Sequence, residues 1–517
     1  MLKTNYSKFR LQSVLMAGMW VSALGLAGCG GTAVPEAPGR VSVAAPDPLL
    51  VATIPINPQF HMEPAVLAEP QDSDREGTGA TAMTAPVSVV ISPELADLET
   101  ARLTVETLAV EKRKRFGRIN PMATTAPVVV YTPAQIRAAY LMPGLPTVAA
   151  ISKGLTPTVA ASLGAGQTIY IINAYDNPNA LTDLNTFSRK FGLPECSSMP
   201  MAVSTALPLA KANPANGCTF AVVYSTATGG KLATMAPAYN AGWAGEIALD
   251  VQWAHATAPL ARIVLVEATG AQVGSLGSAI QLANSMGSGT VSMSFGALEG
   301  PWTAGVESLF QAAGMTYLAA TGDSGSQVNW PAVSSKVLAV GGTTLTYSGS
   351  GARSEVAWAN TGGGVSAYTP IPSYQSVLSM ASVLKTPFIS KMRGVADVAF
   401  NADPRTGQYV VITAPGAKVA NWFSYGGTSV SAPQWAGLVA VIQASRAVLN
   451  KAALPSLHTA LYLNTASVPG SYAGAFADVQ SGTNGTCSTC KAVVGYDLLT
   501  GLGTPKVNTL QKVLTGI

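Results

Sequence analysis

The sequence has few charged residues and few histidines. Only 11% of the 517 residues are charged and 48% are hydrophobic, which excludes a mainly disordered chain and predicts a large core. The net charge of +4 gives no reason to expect a nucleic-acid partner. With three histidines in the whole chain, few sites can depend on an imidazole.

The N-terminus carries an export signal. Basic residues precede an apolar stretch from Leu11 to Gly28, which predicts a secretory signal peptide over residues 1–28. Its end, Leu26–Cys29, resembles a bacterial lipobox, in which Cys29 is lipidated; a simple signal peptide or an anchor helix is the alternative. Because Gly30 is not an acidic retention residue, we expect the outer membrane, cell surface or periplasm. No other stretch predicts a membrane span.

Four further cysteines remain after Cys29. In an oxidising compartment an even number favours disulfides, and we pair Cys196 with Cys218 and Cys487 with Cys490. A zinc site would need two closely spaced pairs, and only Cys487 and Cys490 form one. Haem attachment would need histidine where Lys491 stands.

The chain changes character along its length. Residues 30–75, rich in Pro, Ala and Val, read as a tether. The basic run Lys112–Arg115 is a solvated surface patch or, alternatively, a processing site. We therefore divide the chain into the signal, a tether with a short prosegment over residues 29–125, and a catalytic domain over residues 126–517.

After Pro121 the pattern alternates between strands and helices, which predicts an α/β fold with a parallel sheet and helices on both faces. The predicted buried strands are Thr168–Asn173, Ile263–Glu267, Thr290–Ser294, Thr316–Thr321 and Val337–Gly341. The predicted helices between them are Leu181–Phe191, Ala238–Ala256, Val273–Met286 and Gly305–Ala313.

Ser429 lies in a glycine-rich turn, Tyr425–Pro433, between the apolar stretch Val419–Phe423 and a predicted helix, Gln434–Leu449. The glycines permit a tight turn and close approach of a substrate backbone. The positive end of the helix would favour a developing anion near Ser429. The pattern fits a nucleophile, and equally fits a serine that only caps the helix.

A serine nucleophile needs a base, and the histidines fit poorly. His61 lies in the tether, and His458 has no acid beside it in the sequence. His255 shares a helix with Asp250 but follows it by five residues, which turns it away from that face, so we interpret it as structural.

Two acids on that helix are better placed. Glu246 and Asp250 are four residues apart and project from one face, next to an apolar stripe. Neighbouring carboxylates repel, which raises one pKa, and a carboxylate can act as a base at acidic pH. The alternative is an exposed acidic pair.

A third acid, Asp323, follows a buried strand; it either stabilises a turn or, when protonated, donates to an oxyanion.

Several motifs occur together in one order: Tyr131–Tyr140, Gly166–Asp176, Gly245–Asp250, Val291–Gly296, Thr321–Gly325, Ala339–Thr344, Gly427–Ser429 and Asp478–Pro505. With them, the sequence resembles the sedolisin family of serine-carboxyl peptidases over roughly Tyr131–Pro505. The resemblance implies a subtilisin-like fold and activity on peptide bonds, usually at acidic pH. It implies that Ser429 is the nucleophile, Glu246 the base and Asp250 its orienter, and that Asp323 and the Ser429 N–H form the oxyanion hole.

The resemblance also implies one structural calcium site. Its ligands would be the side chains of Asp478 and Asp497 and the carbonyl groups of Val479, Val493 and Gly495, an all-oxygen set that suits a hard cation.

Two positions depart from the family pattern. Some members hold the catalytic Glu through a further acid and a Trp, where this chain has Asn173 and Phe295. This predicts a weaker acid network and a pH optimum shifted upward.

We therefore expect a secreted, lipid-anchored endopeptidase with protein or peptide substrates, attached to the membrane through Cys29 and monomeric. A binding module that has lost catalysis and a tripeptidyl-type exopeptidase are the alternatives.

Overall fold

A computed structural model describes residues 47–70, 85–115, 127–215, 217–379 and 390–517. All of these ranges belong to one compact unit. The signal peptide and Cys29 lie outside the described residues. None of the helices in the described ranges is long and apolar enough to cross a membrane.

The strands are, in chain order, Asn57–Pro58 (β1), His61–Met62 (β2), Val87–Val89 (β3), Val128–Tyr131 (β4), Thr168–Ala174 (β5), Ser197–Ser198 (β6), Thr219–Ser225 (β7), Leu232–Ala233 (β8), Arg262–Ala268 (β9), Gly289–Met293 (β10), Phe295–Leu298 (β11), Met315–Ala320 (β12), Asn329–Trp330 (β13), Val337–Thr346 (β14), Ser354–Ala357 (β15), Gly364–Pro370 (β16), Met392–Val395 (β17), Val398–Asn401 (β18), Thr406–Ile412 (β19), Asn421–Gly426 (β20), Phe476–Ala477 (β21) and Thr504–Pro505 (β22).

The α-helices are Pro48–Ala52 (α1), Val105–Arg115 (α2), Pro133–Ala139 (α3), Val148–Ser152 (α4), Pro157–Ala161 (α5), Ala180–Lys190 (α6), Ala241–Thr257 (α7), Val273–Met286 (α8), Ser373–Ser376 (α9), Thr428–Val448 (α10), Leu457–Leu461 (α11), Ser471–Ala475 (α12) and Val507–Thr515 (α13). Segments of 3₁₀-helix cover Pro93–Leu95, Pro301–Phe310 and Val377–Ser379, and a π-turn covers Tyr462–Ala466.

The central sheet has the order β15-β14-β12-β10-β5-β9-β7-β6. Its strands from β14 to β6 are parallel, and β15 is antiparallel at one edge. Four of the five predicted strands are therefore confirmed within one residue at each end, and the fifth, β14, begins as predicted but runs five residues further, to Thr346. The parallel α/β fold is confirmed as well.

Both faces of this sheet are buried. Successive side chains of a strand point to opposite faces. Accordingly Ile169 and Ile171 of β5 pack in the same cluster as α7 and α10, whereas Tyr170 and Ile172 pack in the cluster that contains α8. This arrangement explains why the strands read as continuous apolar runs.

One predicted helix is displaced along the chain. A helix was expected over residues 305–313, and Pro301–Phe310 forms a 3₁₀-helix that ends before the predicted segment does. Pro301 starts it, and Gly305 lies inside it, where glycine weakens an α-helix.

We call residues 29–125, which precede the catalytic domain, the leader. Its described part differs from the tether expected over residues 30–75. His61–Met62 pairs with β20, and Val87–Val89 pairs with β4. The leader also places apolar side chains in the same core as the central helices, and these are Phe60, Met62, Leu67, Ile91, Leu95, Leu103 and Leu108. Residues 47–70 and 85–115 thus pack within the body, because their apolar residues face it.

The packing of α2 can be tested by stability. Leu108 is 1% exposed, so we expect Leu108→Ala to lower the free energy of unfolding by about 2–5 kcal/mol, the usual range for a buried leucine. Val110→Ala, on the exposed side of the same helix, should change it little. Equal melting temperatures for the two variants would contradict the buried position of α2.

Candidate active site

The carboxyl group of Asp250 is fully buried where α7 meets the carboxyl ends of β5 and β10. Ser294 Oγ donates to its Oδ1 at 2.5 Å, and Asn173 Nδ2 donates to its Oδ2 at 2.8 Å. Burial raises the pKa of Asp250 to about 8, and the two hydrogen bonds partly oppose that rise. The side chain is therefore fixed in place by two strands.

Glu246 lies one turn earlier on α7 and is also fully buried. Neither of its carboxylate oxygens has a hydrogen-bond partner among the described residues. Burial, and then the nearby charge of Asp250, raises its pKa well above the ordinary range, and contacts with Ser429 and the Gln59 backbone partly oppose this. Glu246 is thus an acid with unused oxygens next to a hydroxyl group.

Ser429 lies in the first turn of α10, which begins six residues before the helix expected from the sequence. Its hydroxyl group donates to the carbonyl oxygen of Ser294 at 3.1 Å. Pro433 has no N–H for the carbonyl oxygen of Ser429, which instead accepts from Ser294 Oγ at 3.3 Å. Ser294 therefore contacts both Asp250 and Ser429.

Asp323 follows β12, and its Oδ1 accepts hydrogen bonds from the N–H and the hydroxyl of Thr428, both at 2.8 Å. Its Oδ2 is buried and has no hydrogen-bond partner among the described residues. Burial raises the pKa of Asp323 to about 7, and the bonds from Thr428 oppose the rise. Below that pH the carboxyl group carries a proton that it can donate.

An extended segment of the leader runs past Ser429. The N–H of Ser429 donates to the carbonyl oxygen of Gln59 at 3.0 Å, and the N–H of Gln59 donates to Ser294 O at 3.1 Å. A Cβ at Gly427, whose φ is +99°, would lie 2.5 Å from both Gln59 O and Asp323 Oδ2. Only glycine leaves room for the two oxygens there.

The ring of Phe295 packs between Trp243 and Trp330, with centroids 6.3 and 6.4 Å away. A phenyl ring has no N–H to donate. Asn173 stands where an acid was expected and bonds Asp250 rather than Glu246.

The histidines do not serve as the base. His255 Nε2 bonds Pro194 O at 2.9 Å, and burial lowers its pKa to about 4. His458 has no acid beside it in the sequence, but the fold brings Asp397 to 3.4 Å from its Nε2, which also lies 3.2 Å from Val337 O. His61 Nε2 is 3.6 Å from Asp323, and burial lowers its pKa to about 4.

The expected calcium ligands lie in the C-terminal loops. The N–H of Gly495 donates to both carboxylate oxygens of Asp478 at 3.1 Å. The N–H of Val493 donates to Asp497 Oδ2 at 3.4 Å. Val479 and Asp497 are buried. The two side chains offer carboxylate oxygens, the donor type that calcium prefers.

The structure pairs Cys196 with Cys218 and Cys487 with Cys490. Within the described ranges, one group of three potential metal-ligating side chains lies close together, Cys196, Cys218 and His255, and its two sulfurs form a disulfide.

Sequence reasoning placed Ser429, Glu246, Asp250 and Asp323, and the structure brings them to one place. It missed the roles of Ser294, Thr428 and Gln59. Ser294 lies within the motif Val291–Gly296, and Thr428 lies within Gly427–Ser429. Nothing in the sequence pointed to a role for Gln59, because residues 30–75 show no periodicity.

The fold and this site define a subtilisin-like protein. A model of the subtilase family matches residues 240–496. The solved structure of Pseudomonas sedolisin, a serine-carboxyl proteinase complexed with two molecules of pseudo-iodotyrostatin, aligns with a TM-score of 0.54 at 24% identity, covering 74% of this chain and 97% of that one. At that identity the likeness shows the fold alone.

Two curated relatives are similar in sequence. Kumamolisin from Bacillus sp. (strain MN-32) is 35% identical over 298 residues, covering 52% of this chain and 51% of the relative. Tripeptidyl-peptidase 1 from Dictyostelium discoideum is 29% identical over 299 residues, covering 52% of this chain and 46% of the relative. The chain thus spans about half the length of these relatives. These matches support membership of the sedolisin family.

The buried carboxyl group of Asp250 makes stability depend on pH. Its pKa is about 8 in the folded protein and near 3.8 when exposed, so the folded state binds more protons between those values. Its contribution to stability is present at low pH and is lost as pH rises from about 4 to 8. Asp250→Asn removes this dependence.

The melting temperature of Asp250→Asn, relative to the original chain, should therefore increase steadily between pH 4 and 8. Glu195→Gln, at an exposed ion pair, is the matched control and should show no such trend. A constant offset for Asp250→Asn across this range would contradict a raised pKa.

Proposed function

We propose that the chain is a serine-carboxyl peptidase in which Ser429 is the nucleophile, Glu246 the general base and Asp250 the residue that orients the base. One observation carries this proposal. The N–H of Ser429 holds a peptide carbonyl group, while the adjacent Glu246 is buried with unpartnered oxygens. A nucleophile, a base and a bound peptide are the parts that peptide hydrolysis needs.

In this mechanism Ser429 Oγ adds to the peptide carbonyl carbon as ionised Glu246 takes the hydroxyl proton. Asp323, when protonated, and the N–H of Ser429 donate to the developing oxyanion. The proton on Glu246 passes to the leaving amine, and water then hydrolyses the acyl-enzyme.

Asp323 limits the proposed activity at high pH. Its raised pKa of about 7 means that it can donate to the oxyanion in acid and loses that proton at higher pH. Asn173 and Phe295 replace partners that some relatives use, which favours a less acidic optimum than in those members.

Endopeptidase action is favoured over tripeptidyl release by the course of the leader. Three residues, Asn57–Gln59, precede the carbonyl group at Ser429, but the bound chain continues beyond them. The N–H of Ile56 donates to Ala271 O at 2.9 Å, and Pro55 bridges to Gln272. A cleft that admits a longer chain does not restrict cleavage to the third residue.

The same proposal includes export as a monomeric lipoprotein of the outer membrane, cell surface or periplasm, attached through Cys29. Support comes from the sequence around Cys29 and from the two disulfides, which persist in oxidising compartments. It also includes one structural calcium held by Asp478, Asp497 and the carbonyl groups of Val479, Val493 and Gly495.

Catalysis is tested with single substitutions assayed on casein at acidic and neutral pH. Ser429→Ala should reduce the rate by at least about 10³-fold, as loss of a triad member does in other serine peptidases. Glu246→Gln keeps the shape but cannot accept the proton, so we expect a comparable loss. Asp323→Ala should also reduce activity strongly.

Ser445→Ala, on the same helix as Ser429, and Glu195→Gln are the controls and should retain activity. Full activity of Glu246→Gln would exclude the mechanism. A folded original chain that binds casein without cleaving it would favour the binding module instead.

The calcium proposal is tested by thermal melting. A chelator should lower the melting temperature by several degrees, because a site saturated at 100 times its Kd adds about 2.7 kcal/mol. Calcium should restore it and magnesium should not. Asp478→Asn should melt lower and no longer respond to chelator, and an unchanged melting temperature of the original chain would refute the site.

A further inference from the structure

We propose, resting on the peptidase function proposed above, that Asn484 is a positioning residue for the oxyanion acid Asp323, and that the Cys487–Cys490 disulfide holds Asn484 in place. The contact joins two segments that are far apart in the sequence. We call residues 321–327, which follow β12 and carry Asp323, the oxyanion loop. We call residues 482–492, which contain Asn484 and the disulfide, the disulfide loop.

The disulfide loop folds back on itself. Thr483 pairs antiparallel with Lys491, and the N–H of Asn484 donates to Cys490 O at 3.1 Å. The bond between Cys487 and Cys490 closes the tip. Asn484 is only 5% exposed, although the residues that follow it, as far as Thr489, are exposed. Asn484 therefore faces the body of the protein while the tip of the loop faces solvent.

The backbone of Asn484 contacts the oxyanion loop. Its carbonyl oxygen accepts from the N–H of Ser326 at 2.9 Å. A Cβ at Gly325 would lie 2.6 Å from the same oxygen, so the two backbones are in direct contact. The N–H of Gly325 donates to Asn360 O at 2.9 Å. The chain just after Asp323 is therefore held by two segments at once.

The side chain of Asn484 contacts the second of these segments. Its Nδ2 donates to Thr361 O at 2.9 Å. The next residue, Gly362, donates from its N–H to Gly322 O at 2.6 Å. Because Gly322 immediately precedes Asp323, Asn484 supports the oxyanion loop on both sides of the acid.

The disulfide lies against the same contact. A Cβ at Gly485 would lie 3.0 Å from Cys490 Sγ and 2.9 Å from Ser326 Oγ, so the sulfur and the oxyanion loop pack on one glycine. Opening the disulfide releases Cys490, whose carbonyl oxygen is the partner of the Asn484 N–H. Closely packed contacts transmit such a displacement rather than absorb it.

Asp323 depends on this support. Thr428 bonds one of its carboxylate oxygens, and its own N–H donates to Gln59 Oε1, which belongs to the leader. Within the catalytic domain, the bonds of the residues on either side of Asp323 therefore fix its backbone. Misplacement of a reacting group by about 1 Å can cost about 10²-fold in rate, so a small shift of the oxyanion loop is enough to reduce catalysis.

The first test is Asn484→Ala, which removes the bond to Thr361. We expect kcat on labelled casein to fall by about 10- to 100-fold with KM within about twofold, since Asp323 stabilises the transition state and not the bound substrate. Thr486→Ala, at the exposed tip of the same loop, is the matched control and should retain activity. Both variants should keep the response of the melting temperature to a chelator, because neither removes a proposed calcium ligand.

The pH profile separates positioning from a loss of folded protein. Burial raises the pKa of Asp323 to about 7, and this sets the proposed fall in activity at high pH. A loosened oxyanion loop admits water to the carboxyl group and lowers its pKa, so the fall should move to lower pH in Asn484→Ala. His61 and Glu246 are the titratable groups that face Asp323, and the variant retains both.

Asn484→Asp has the same shape but can donate to Thr361 O only when its carboxyl group is protonated. Burial favours that protonated form, whereas the charge of Lys491, opposite Thr483, favours the ionised form. Activity should approach that of the original chain at about pH 4 and match that of Asn484→Ala at about pH 7. Recovery in acid would show that the hydrogen bond, and not the volume of the side chain, positions Asp323.

Reduction tests the disulfide in the original folded chain. Dithiothreitol attacks through a thiolate and ends as a ring disulfide, while each protein sulfur gains one hydrogen. Cys487 is exposed, whereas Cys196 and Cys218 are each 3% exposed, so brief treatment should release two additional thiols per chain. We expect kcat to fall with KM unchanged and to recover on reoxidation. A variant with both Cys487→Ser and Cys490→Ser should show the low kcat without treatment and no further response.

The inference would be overturned by an Asn484→Ala enzyme with the original kcat and pH profile, or by a lower rate that matches the unfolded fraction while the profile stays in place. Unchanged kcat after selective opening of the disulfide would also overturn it, and this measurement decides the matter if Asn484→Ala does not fold. All of these outcomes leave the peptidase proposal intact. An original chain that cleaves no casein would instead refute the peptidase and this inference with it.

Discussion

The buried carboxyl group of Asp250 is the constraint on which the site depends. Because no water reaches it, its hydrogen bonds must come from the protein, and they come from Asn173 and Ser294 at the ends of two strands. This fixes α7 against the sheet. Ser294 also bonds Ser429 and, through its carbonyl oxygen, Gln59, so one residue links the orienting acid, the nucleophile and the bound peptide.

Burial also sets the charge state of the site. The pKa values of Glu246, Asp250 and Asp323 are all raised, and burial is the leading cause for each. The leader contributes to this burial because Gln59 and Phe60 cover the cleft. When the leader leaves, water can solvate the carboxylates, which lowers their pKa values. We therefore expect release of the leader to favour the ionised Glu246 that a general base requires.

The strands of the catalytic body could be predicted because parallel strands buried on both faces are apolar throughout. Glu246 and Asp250 could be paired because four residues make one helical turn. Gln59 could not be predicted, since its importance comes from the strands beside it and not from its neighbours in sequence. The 3₁₀ geometry of Pro301–Phe310 was missed for a similar reason, because the sequence shows apolar spacing but not which hydrogen bonds form.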